Sequence, residues 1–217
     1  MVRAPNVGDI HYRMKLTDYR VWVFDLDGTL YRQMPVRLEM AAKLLTYYFL
    51  RPWRLRELFL LKEFRAEREK LLSDEENLAR LQSKYGLEPK KIIREWLFDR
   101  ALESVRRWKR EKVLSAIEAH RRAGGVVIVY SDYPVEEKLS AMGLTVDFGY
   151  WSGAPSIDCL KPDPRGLNNV ITRLNLDRAE ILYVGDRDDR DGECARRAGV
   201  SYLDIKEFER RLDDESR

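Results

Sequence analysis

The sequence predicts an α/β protein with a Rossmann-like parallel sheet core and an inserted, all-helical cap. Two observations predict this class. Short β-branched runs alternate with helical segments over residues 114–217, and residues 34–113 have the composition of helices alone. Alternating strands and helices are the pattern of βαβ units, whose parallel strands are covered on both faces. The predicted domains are therefore a core of residues 1–33 and 114–217 and a cap of residues 34–113.

The first predicted strand is the apolar run Val21–Phe24, which stops at an Asp-x-Asp-Gly turn. The insert that follows is rich in Leu, Arg, Lys and Glu, which favour helices. Within it, Pro35, Pro52 and Pro89 each lie where a proline is tolerated in the first turn of a helix. Gly86 ends the helix that precedes Pro89.

After the insert, strands and helices are expected to alternate to the end of the chain. The expected strands are VVIVY, VDFGYW, ILYVGD and SYLDI, and the expected helices are EKVLSAIEAHRRAGG, PVEEKLSAMGL, PDPRGLNNVITRLNL, GECARRAG and KEFERRLDDESR. A continuous β-branched run such as VVIVY is typical of a strand buried on both faces. These elements therefore predict a parallel sheet with helices on either side.

Composition excludes several classes of protein. The 40 basic and 37 acidic residues nearly balance, which is not typical of nucleic-acid binding. Two cysteines and two histidines are too few for a disulfide scaffold or a zinc site. No apolar segment is long enough for a membrane span or a secretory signal, so a cytoplasmic protein is expected.

The insert also carries basic residues interleaved with aromatic ones, around Trp53 and again around Trp108. Such a pattern leaves an anionic substrate or single-stranded nucleic acid open as a partner. The simpler interpretation is a solvated charged face, with apolar residues packing the core of the cap. Those core residues are expected to be Leu55, Leu58, Phe59, Leu61 and Phe64.

Chemically active residues follow the predicted strands. They are Asp25, Asp27 and Thr29 after the first strand, Ser131 and Asp132 after the second, Lys161 before a proline, and Asp186 with an Asp-rich run to Asp191. In open α/β sheets, ligands bind beyond the carboxyl ends of the strands. Carboxylates this concentrated raise each other's pKa unless a hard cation such as Mg²⁺ compensates them. Together with a lysine and an anion-binding helix start, they indicate phosphoryl transfer.

These motifs, in this order, resemble those of the haloacid dehalogenase superfamily, and specifically its Mg²⁺-dependent phosphatases with a helical cap at the first insertion site. Asp25, Asp27 and Thr29 match Asp-x-Asp-x-Thr, Ser131 matches the second motif, Lys161 the third, and Asp186 the first acid of the fourth. The second acid of the fourth motif is either Asp191, with Arg190 where Thr is usual, or Asp189.

The resemblance implies a role for each residue. Asp25 would be the nucleophile and Asp27 the general acid and base. Mg²⁺ would be held by Asp25, by Asp27 through its backbone carbonyl, and by Asp186, with Asp191 beside these ligands. Phosphoryl oxygens would be bound by Ser131, Asp132, Lys161 and Thr29.

The implied function is hydrolysis of a small-metabolite phosphomonoester through an aspartyl-phosphate on Asp25. A phosphotransferase or mutase with the same intermediate remains an alternative, as does a phosphate-binding regulatory protein without turnover. Dehalogenation is disfavoured because family members that attack carbon lack the second aspartate, whereas Asp27 is present. Phosphonate cleavage would need a lysine from the cap that the sequence does not identify. The substrate and the oligomeric state are left open.

Overall fold

The structure, a computed structural model, describes residues 15–68, 74–152, 154, 157 and 159–215. The chain divides into two compact units. The first takes its described residues from the ranges 1–30, 110–135 and 145–217, and the second consists of 31–109 and 136–144. The second unit therefore contains a short segment, 136–144, that lies outside the predicted cap of residues 34–113.

The first unit contains a five-stranded sheet in which all neighbouring strands are parallel. The strands are β1 (Val21–Phe24), β2 (Val126–Ser131), β3 (Phe148–Trp151), β4 (Ile181–Gly185) and β5 (Ser201–Asp204). Their order is β3-β2-β1-β4-β5. This is the Rossmann-like α/β core that the sequence predicted.

The α-helices of the described residues complete the two units. They are α1 (Gln33–Phe49), α2 (Leu55–Arg68), α3 (Asp74–Tyr85), α4 (Pro89–Ile93), α5 (Arg100–Arg107), α6 (Glu111–Arg122), α7 (Glu136–Met142), α8 (Arg165–Arg173), α9 (Glu193–Ala198) and α10 (Ile205–Glu215). Helices α6, α8, α9 and α10 belong to the sheet unit, and the others form the second unit.

The central strand β1 lies between β2 and β4, so it is hydrogen-bonded on both edges and buried along its whole length. Val21 is in register with Val126 of β2 and with Ile181 of β4. Since successive side chains of a strand point to opposite faces, β1 contributes to two separate cores.

On one face, Val21 and Val23 pack in an apolar cluster with residues of α8 and α9. On the other face, Phe208 of α10 meets the rings of Trp22 and Phe24 edge-on, with centroids 5.2 and 5.4 Å away. Packing on both faces fixes the strand that carries the first motif.

The second unit is helical, as its composition predicted. Its buried residues include Tyr48, Leu60, Leu81 and Trp96. Of the residues expected in its core, Leu61 and Phe64 are buried, but Leu55 and Phe59 are exposed. That part of the prediction was wrong because apolar composition does not show which side of a helix finds a partner.

Candidate active site

The first two groups of the site are placed by the ends of adjacent strands. Asp25 follows β1 directly, and its backbone N–H donates to the carbonyl of Val184 in β4, at 2.9 Å. Asp186 follows β4. Since parallel strands end at the same edge of a sheet, the two carboxylates are brought to one side of the sheet unit.

A buried lysine joins two carboxylates at this edge. The ammonium of Lys161 lies 2.6 Å from Oδ1 of Asp25 and 2.6 Å from Oδ1 of Asp191. All three side chains are almost completely buried. Lys161 also donates to the hydroxyl of Tyr183, at 3.4 Å. One ammonium therefore compensates two carboxylates, which leaves the cluster with an excess of negative charge.

Asp186 adds a third carboxylate to this cluster. One carboxylate oxygen each from Asp25, Asp186 and Asp191 lies within 4.8 Å of the others. Oδ1 of Asp186 is buried and accepts no hydrogen bond within the part of the chain that the structure describes. A buried oxygen without a donor is costly unless a cation takes its place. The donor set, all oxygen and in excess over positive charge, fits a hard divalent ion such as Mg²⁺.

Burial and mutual repulsion shift the acidity of these groups. Burial raises the pKa of Asp25 to about 8, against the opposing effect of Lys161, and Asp191 and Asp27 raise it further. Burial, with the charge of Asp191, raises the pKa of Asp186 to about 6. Burial alone would lower the pKa of Lys161, but Asp25 and the other neighbours hold it well above its usual value. The lysine is therefore positive, and the site favours a second cation or a proton.

Gly28 allows the loop that follows β1 to lie close to the side chain of Asp186. Its φ of +102° lies in the region that favours glycine, and a Cβ added there would fall inside van der Waals contact of the Asp186 carboxylate. The glycine of the Asp-x-Asp-Gly sequence is therefore required both by backbone conformation and by space.

The structure distinguishes the two candidates for the second acid of the fourth motif. The side chain of Asp191 is 3% exposed and pairs with Lys161, and its Oδ2 accepts the backbone N–H of Arg187 at 3.1 Å. The side chain of Asp189 is 69% exposed and pairs with Arg187 at 2.8 Å. Only Asp191 joins the carboxylate cluster.

Ser131 and Asp132, expected to bind phosphate, lie at the end of β2. The buried Ser131 hydroxyl accepts the backbone N–H of Tyr133 at 3.1 Å. Oδ1 of Asp132 accepts the hydroxyl of Ser152 at 2.9 Å and the backbone N–H of Lys161 at 3.2 Å. The Asp132 side chain therefore connects β2 to the segment that carries the lysine.

Thr29 and Asp27 occupy the loop after β1. The Thr29 hydroxyl donates to Oδ2 of Asp25, at 3.1 Å, so in this structure it holds that carboxylate. Asp27 is half-buried, and its charge contributes to raising the pKa of Asp25. The loop thus places two carboxylates near each other without burying both.

Arg190 is a residue that the motif analysis did not assign to the site. Its Nε and Nη2 atoms donate to the backbone carbonyl of Lys161, at 3.1 and 2.9 Å. Nη2 also lies 3.3 Å from Oδ2 of Asp132. Arg190 therefore joins the second, third and fourth motifs. The one signal in the sequence was its departure from the usual threonine at that position.

A parallel sheet with a buried lysine and clustered carboxylates at the carboxyl ends of its strands defines an α/β enzyme core. The sequence profile of the haloacid dehalogenase-like hydrolases matches residues 22–205. This range covers most of the chain and contains every site residue described above. The chain belongs to the haloacid dehalogenase-like hydrolase family.

Solved structures with the same fold carry different activities in their names. A 2-haloacid dehalogenase from Pseudomonas syringae is 20% identical, with a TM-score of 0.58 and 85% of both chains covered. A magnesium-bound protein from Bacillus subtilis assigned to these hydrolases is 17% identical, with a TM-score of 0.59 and 85% of this chain and 87% of that one covered. A phosphatase of the family from Thermococcus onnurineus is 20% identical, with a TM-score of 0.50 and 87% of this chain and 85% of that one covered.

At these identities the similarity establishes the fold and leaves the reaction open. None of the curated proteins compared with this sequence matches it. In the part of the chain that the structure describes, no helix has the length and apolar character to cross a membrane.

Proposed function

We propose that this protein is a Mg²⁺-dependent phosphatase that hydrolyses a small-metabolite phosphomonoester through an aspartyl-phosphate on Asp25. The observation that carries the proposal is the cluster of Asp25, Asp186 and Asp191 around Lys161, with a buried oxygen of Asp186 left without a donor. Such a cluster repels a phosphate dianion unless a metal ion is present. A substrate that needs no metal would gain nothing from it.

The ion would be held by Asp25, Asp186 and the backbone carbonyl of Asp27. Asp191 would keep its ion pair with Lys161. When bound, Mg²⁺ neutralises charge on the phosphoryl oxygens and keeps Asp25 ionised. Lys161 lies close enough to Asp25 to contact the same phosphoryl group. The Ser131 hydroxyl and the Asp132 backbone N–H would bind its other oxygens, since a hydroxyl that accepts one hydrogen bond can still donate its own hydrogen.

Two displacements at phosphorus then complete the reaction. A carboxylate oxygen of Asp25 attacks phosphorus, the bond to the ester oxygen breaks, and Asp27 gives that oxygen its proton. A water molecule next attacks the aspartyl-phosphate and loses a proton to Asp27. Inorganic phosphate leaves, and the Asp25 carboxylate is restored.

The presence of Asp27 favours hydrolysis of a phosphate ester over dehalogenation. An alcohol leaves poorly as an alkoxide and needs a proton, whereas a halide leaves as a stable anion and needs none. A second carboxylate two residues after the nucleophile is therefore useful for phosphate esters. The phosphotransferase and mutase alternatives use the same first step and differ only in the acceptor that replaces water.

The test is a substrate comparison with purified protein. We expect p-nitrophenyl phosphate and members of a phosphomonoester panel to be hydrolysed with Mg²⁺, and activity to vanish in EDTA and return with added Mg²⁺. Asp25→Asn should abolish turnover because an amide cannot attack phosphorus, while Asp189→Asn, on an exposed side chain, should retain it. Circular dichroism checks that both variants are folded.

Other outcomes would overturn the proposal. Chloride release from 2-chloropropionate without phosphatase activity would assign a dehalogenase. Phosphate transfer to an added sugar phosphate in preference to water would assign a transferase or mutase. Binding of phosphate with no turnover of any ester would assign a regulatory protein. The cytoplasmic location and the identity of the metabolite remain predictions.

A further inference from the structure

The solvent-facing side of helix α1 is apolar along its whole length. Met34, Leu38, Leu45 and Phe49 are exposed by 62, 66, 72 and 86%. Ala41 and Ala42, also exposed, lie between them. Val36 and Met40, which are buried, lie on the opposite side of α1, and the buried Tyr48 lies beside the exposed side. The helix therefore has two apolar sides, and the residues that the structure describes leave one of them exposed.

The exposed residues form one continuous stripe. At about 100° per residue, these six positions fall within an arc of roughly 100° on the helix. The ionised residues of α1, which are Arg37, Glu39 and Lys43, lie outside that arc. All seventeen residues of α1 are described, and the stripe from Met34 to Phe49 is about 22 Å long at ~1.5 Å per residue.

We propose that this stripe binds the same stripe of a second copy of the chain, with the two α1 helices antiparallel across a two-fold axis. The inference rests on the order of the side chains along α1. From either end of the helix, two large apolar residues and then an alanine occur at the same distances from the centre. Met34 and Phe49 are equally far from the helix centre, as are Leu38 and Leu45. Ala41 and Ala42 flank the centre itself. This inference is independent of the reaction proposed above.

A two-fold interface requires this kind of self-complementarity. In such an interface, residue i of one copy contacts residue j of the other, and j contacts i. Antiparallel pairing about the centre of α1 places Met34 opposite Phe49 and Leu38 opposite Leu45. The two alanines meet at the crossing point, where small side chains let the helix backbones approach closely.

The charges beside the stripe also favour the antiparallel arrangement. In it, Arg37 lies level with Thr46 of the second copy. The two Arg37 side chains are then separated by nine residues of helical rise, about 13 Å. That distance exceeds the screening length of about 8 Å at physiological salt. In a parallel arrangement the two arginines would lie at the same height.

The size of the apolar surface fits a dimer of moderate strength. The stripe consists of four large exposed side chains and two alanines. At roughly 100 Å² for each large side chain, the surface amounts to about 400–500 Å² per copy. This is at the upper end for an apolar patch on a monomer, and near the lower end of what each partner of a specific interface buries.

Sedimentation equilibrium of the full chain tests the proposal. Between about 1 and 200 μM, a range that suits an interface of this size, we expect the average mass to rise from 25.7 kDa toward twice that value. Leu38→Glu and Leu45→Glu should each hold the mass at the monomer value. Phe148→Glu, which places the same charge on an exposed apolar residue of β3, should leave the association unchanged.

Cysteine cross-linking tests the direction of the helices. The native cysteines, Cys159 and Cys194, are buried, so an introduced thiol reacts selectively. In the antiparallel pair, the two copies of residue 41 lie at the crossing point, whereas the copies of residue 34 are about 22 Å apart along the axis. A short bismaleimide should therefore link Ala41→Cys into a covalent dimer and leave Met34→Cys unlinked.

Three results would overturn the proposal. A monomer at every concentration would do so, and binding of that monomer to anionic vesicles would assign the stripe to a membrane surface instead. Equal cross-linking at positions 34 and 41 would replace the antiparallel pair by a parallel one. A dimer that survives both glutamate substitutions would place the interface elsewhere.

Discussion

The ammonium of Lys161 and the carboxylate of Asp25 lie 2.6 Å apart in the interior of the sheet unit, although 136 positions separate them in the chain. The same ammonium holds Asp191. Before any metal binds, Lys161 is thus the group that lets two carboxylates stay buried side by side. Its contribution to stability should depend on whether another cation is present.

Replacing Lys161 by methionine should destabilise the protein more in EDTA than in Mg²⁺. Breaking a buried ion pair by removing one partner costs about 3–5 kcal/mol, because the other charge stays buried. A bound cation would take over part of the compensation. Urea unfolding in EDTA and in saturating Mg²⁺ measures both values.

The matched control is Lys112→Met, which removes an exposed lysine paired with Asp213. An exposed pair is worth about 0–1 kcal/mol, so the control should change the unfolding free energy little in either buffer. Equal losses for Lys161→Met with and without Mg²⁺ would contradict the compensation argument.

Asp191 and Asp189 should differ in their effect on metal binding. Asp191→Asn removes a charge from the cluster and weakens the hold on Lys161, so the Mg²⁺ concentration for half-maximal activity should rise about 10–100-fold, as for other groups that support metal ligands. Asp189→Asn should leave that concentration unchanged. Titrating activity against Mg²⁺ checks both, and similar shifts for the two variants would argue against the assignment of Asp191.

Gly28→Ala should disturb the site as well as the backbone. A residue other than glycine at positive φ costs about 1–2 kcal/mol, and here the added Cβ also meets the Asp186 carboxylate. Gly86 has a φ of +63° with open space around it, so Gly86→Ala isolates the backbone cost. We expect both variants to lose stability on denaturant unfolding, but only Gly28→Ala to lose activity. Full activity of Gly28→Ala would show that the close approach is not required.

His120 should make the protein less stable as the pH falls from about 8 toward 6. Its ring is stacked on Trp22, with centroids 3.8 Å apart, and Nε2 donates to the backbone carbonyl of Arg20 at 3.1 Å. Burial lowers the pKa of His120 below its usual value near 6.5. At this group the unfolded chain therefore takes up a proton first as pH falls, and the contribution of His120 to the free energy of unfolding decreases in that window.

Urea unfolding of the native protein and of His120→Gln at several pH values measures this contribution, which is the difference between the two profiles. The other histidine, His11, is replaced in a parallel His11→Gln control so that its titration can be subtracted. An unchanged pH profile in His120→Gln would assign the dependence to other groups.

The fold was predictable because its signals are local. The β-branched runs at Val21–Phe24 and Val126–Ser131 read as strands without any knowledge of their neighbours. Once strands alternate with helices, a parallel sheet follows, and with it the meeting of Asp25 and Asp186 at one edge. The order of the strands was not predictable, because nothing local specifies which strands become neighbours.

The features that the sequence did not predict depend on contacts between distant residues. Arg190 donates a hydrogen bond to the carbonyl of Lys161, and the spacing of the motifs does not predict this contact. The polar sequence around His120 gives no sign that its ring stacks on Trp22. Leu55 and Phe59 were expected in the core of the cap because they are apolar. They are exposed, since burial depends on which side of α2 packs against other helices.

The position of β1 at the centre of the sheet has a consequence for biosynthesis. On the ribosome, β1 emerges long before Val126 and Ile181, the first residues of its two neighbours, have been translated. At about 5–20 residues per second, this apolar strand waits several seconds with both edges unpaired. Translation speed and early chaperone contact should therefore affect the yield of native protein more strongly than they would in a chain whose central strand is made last.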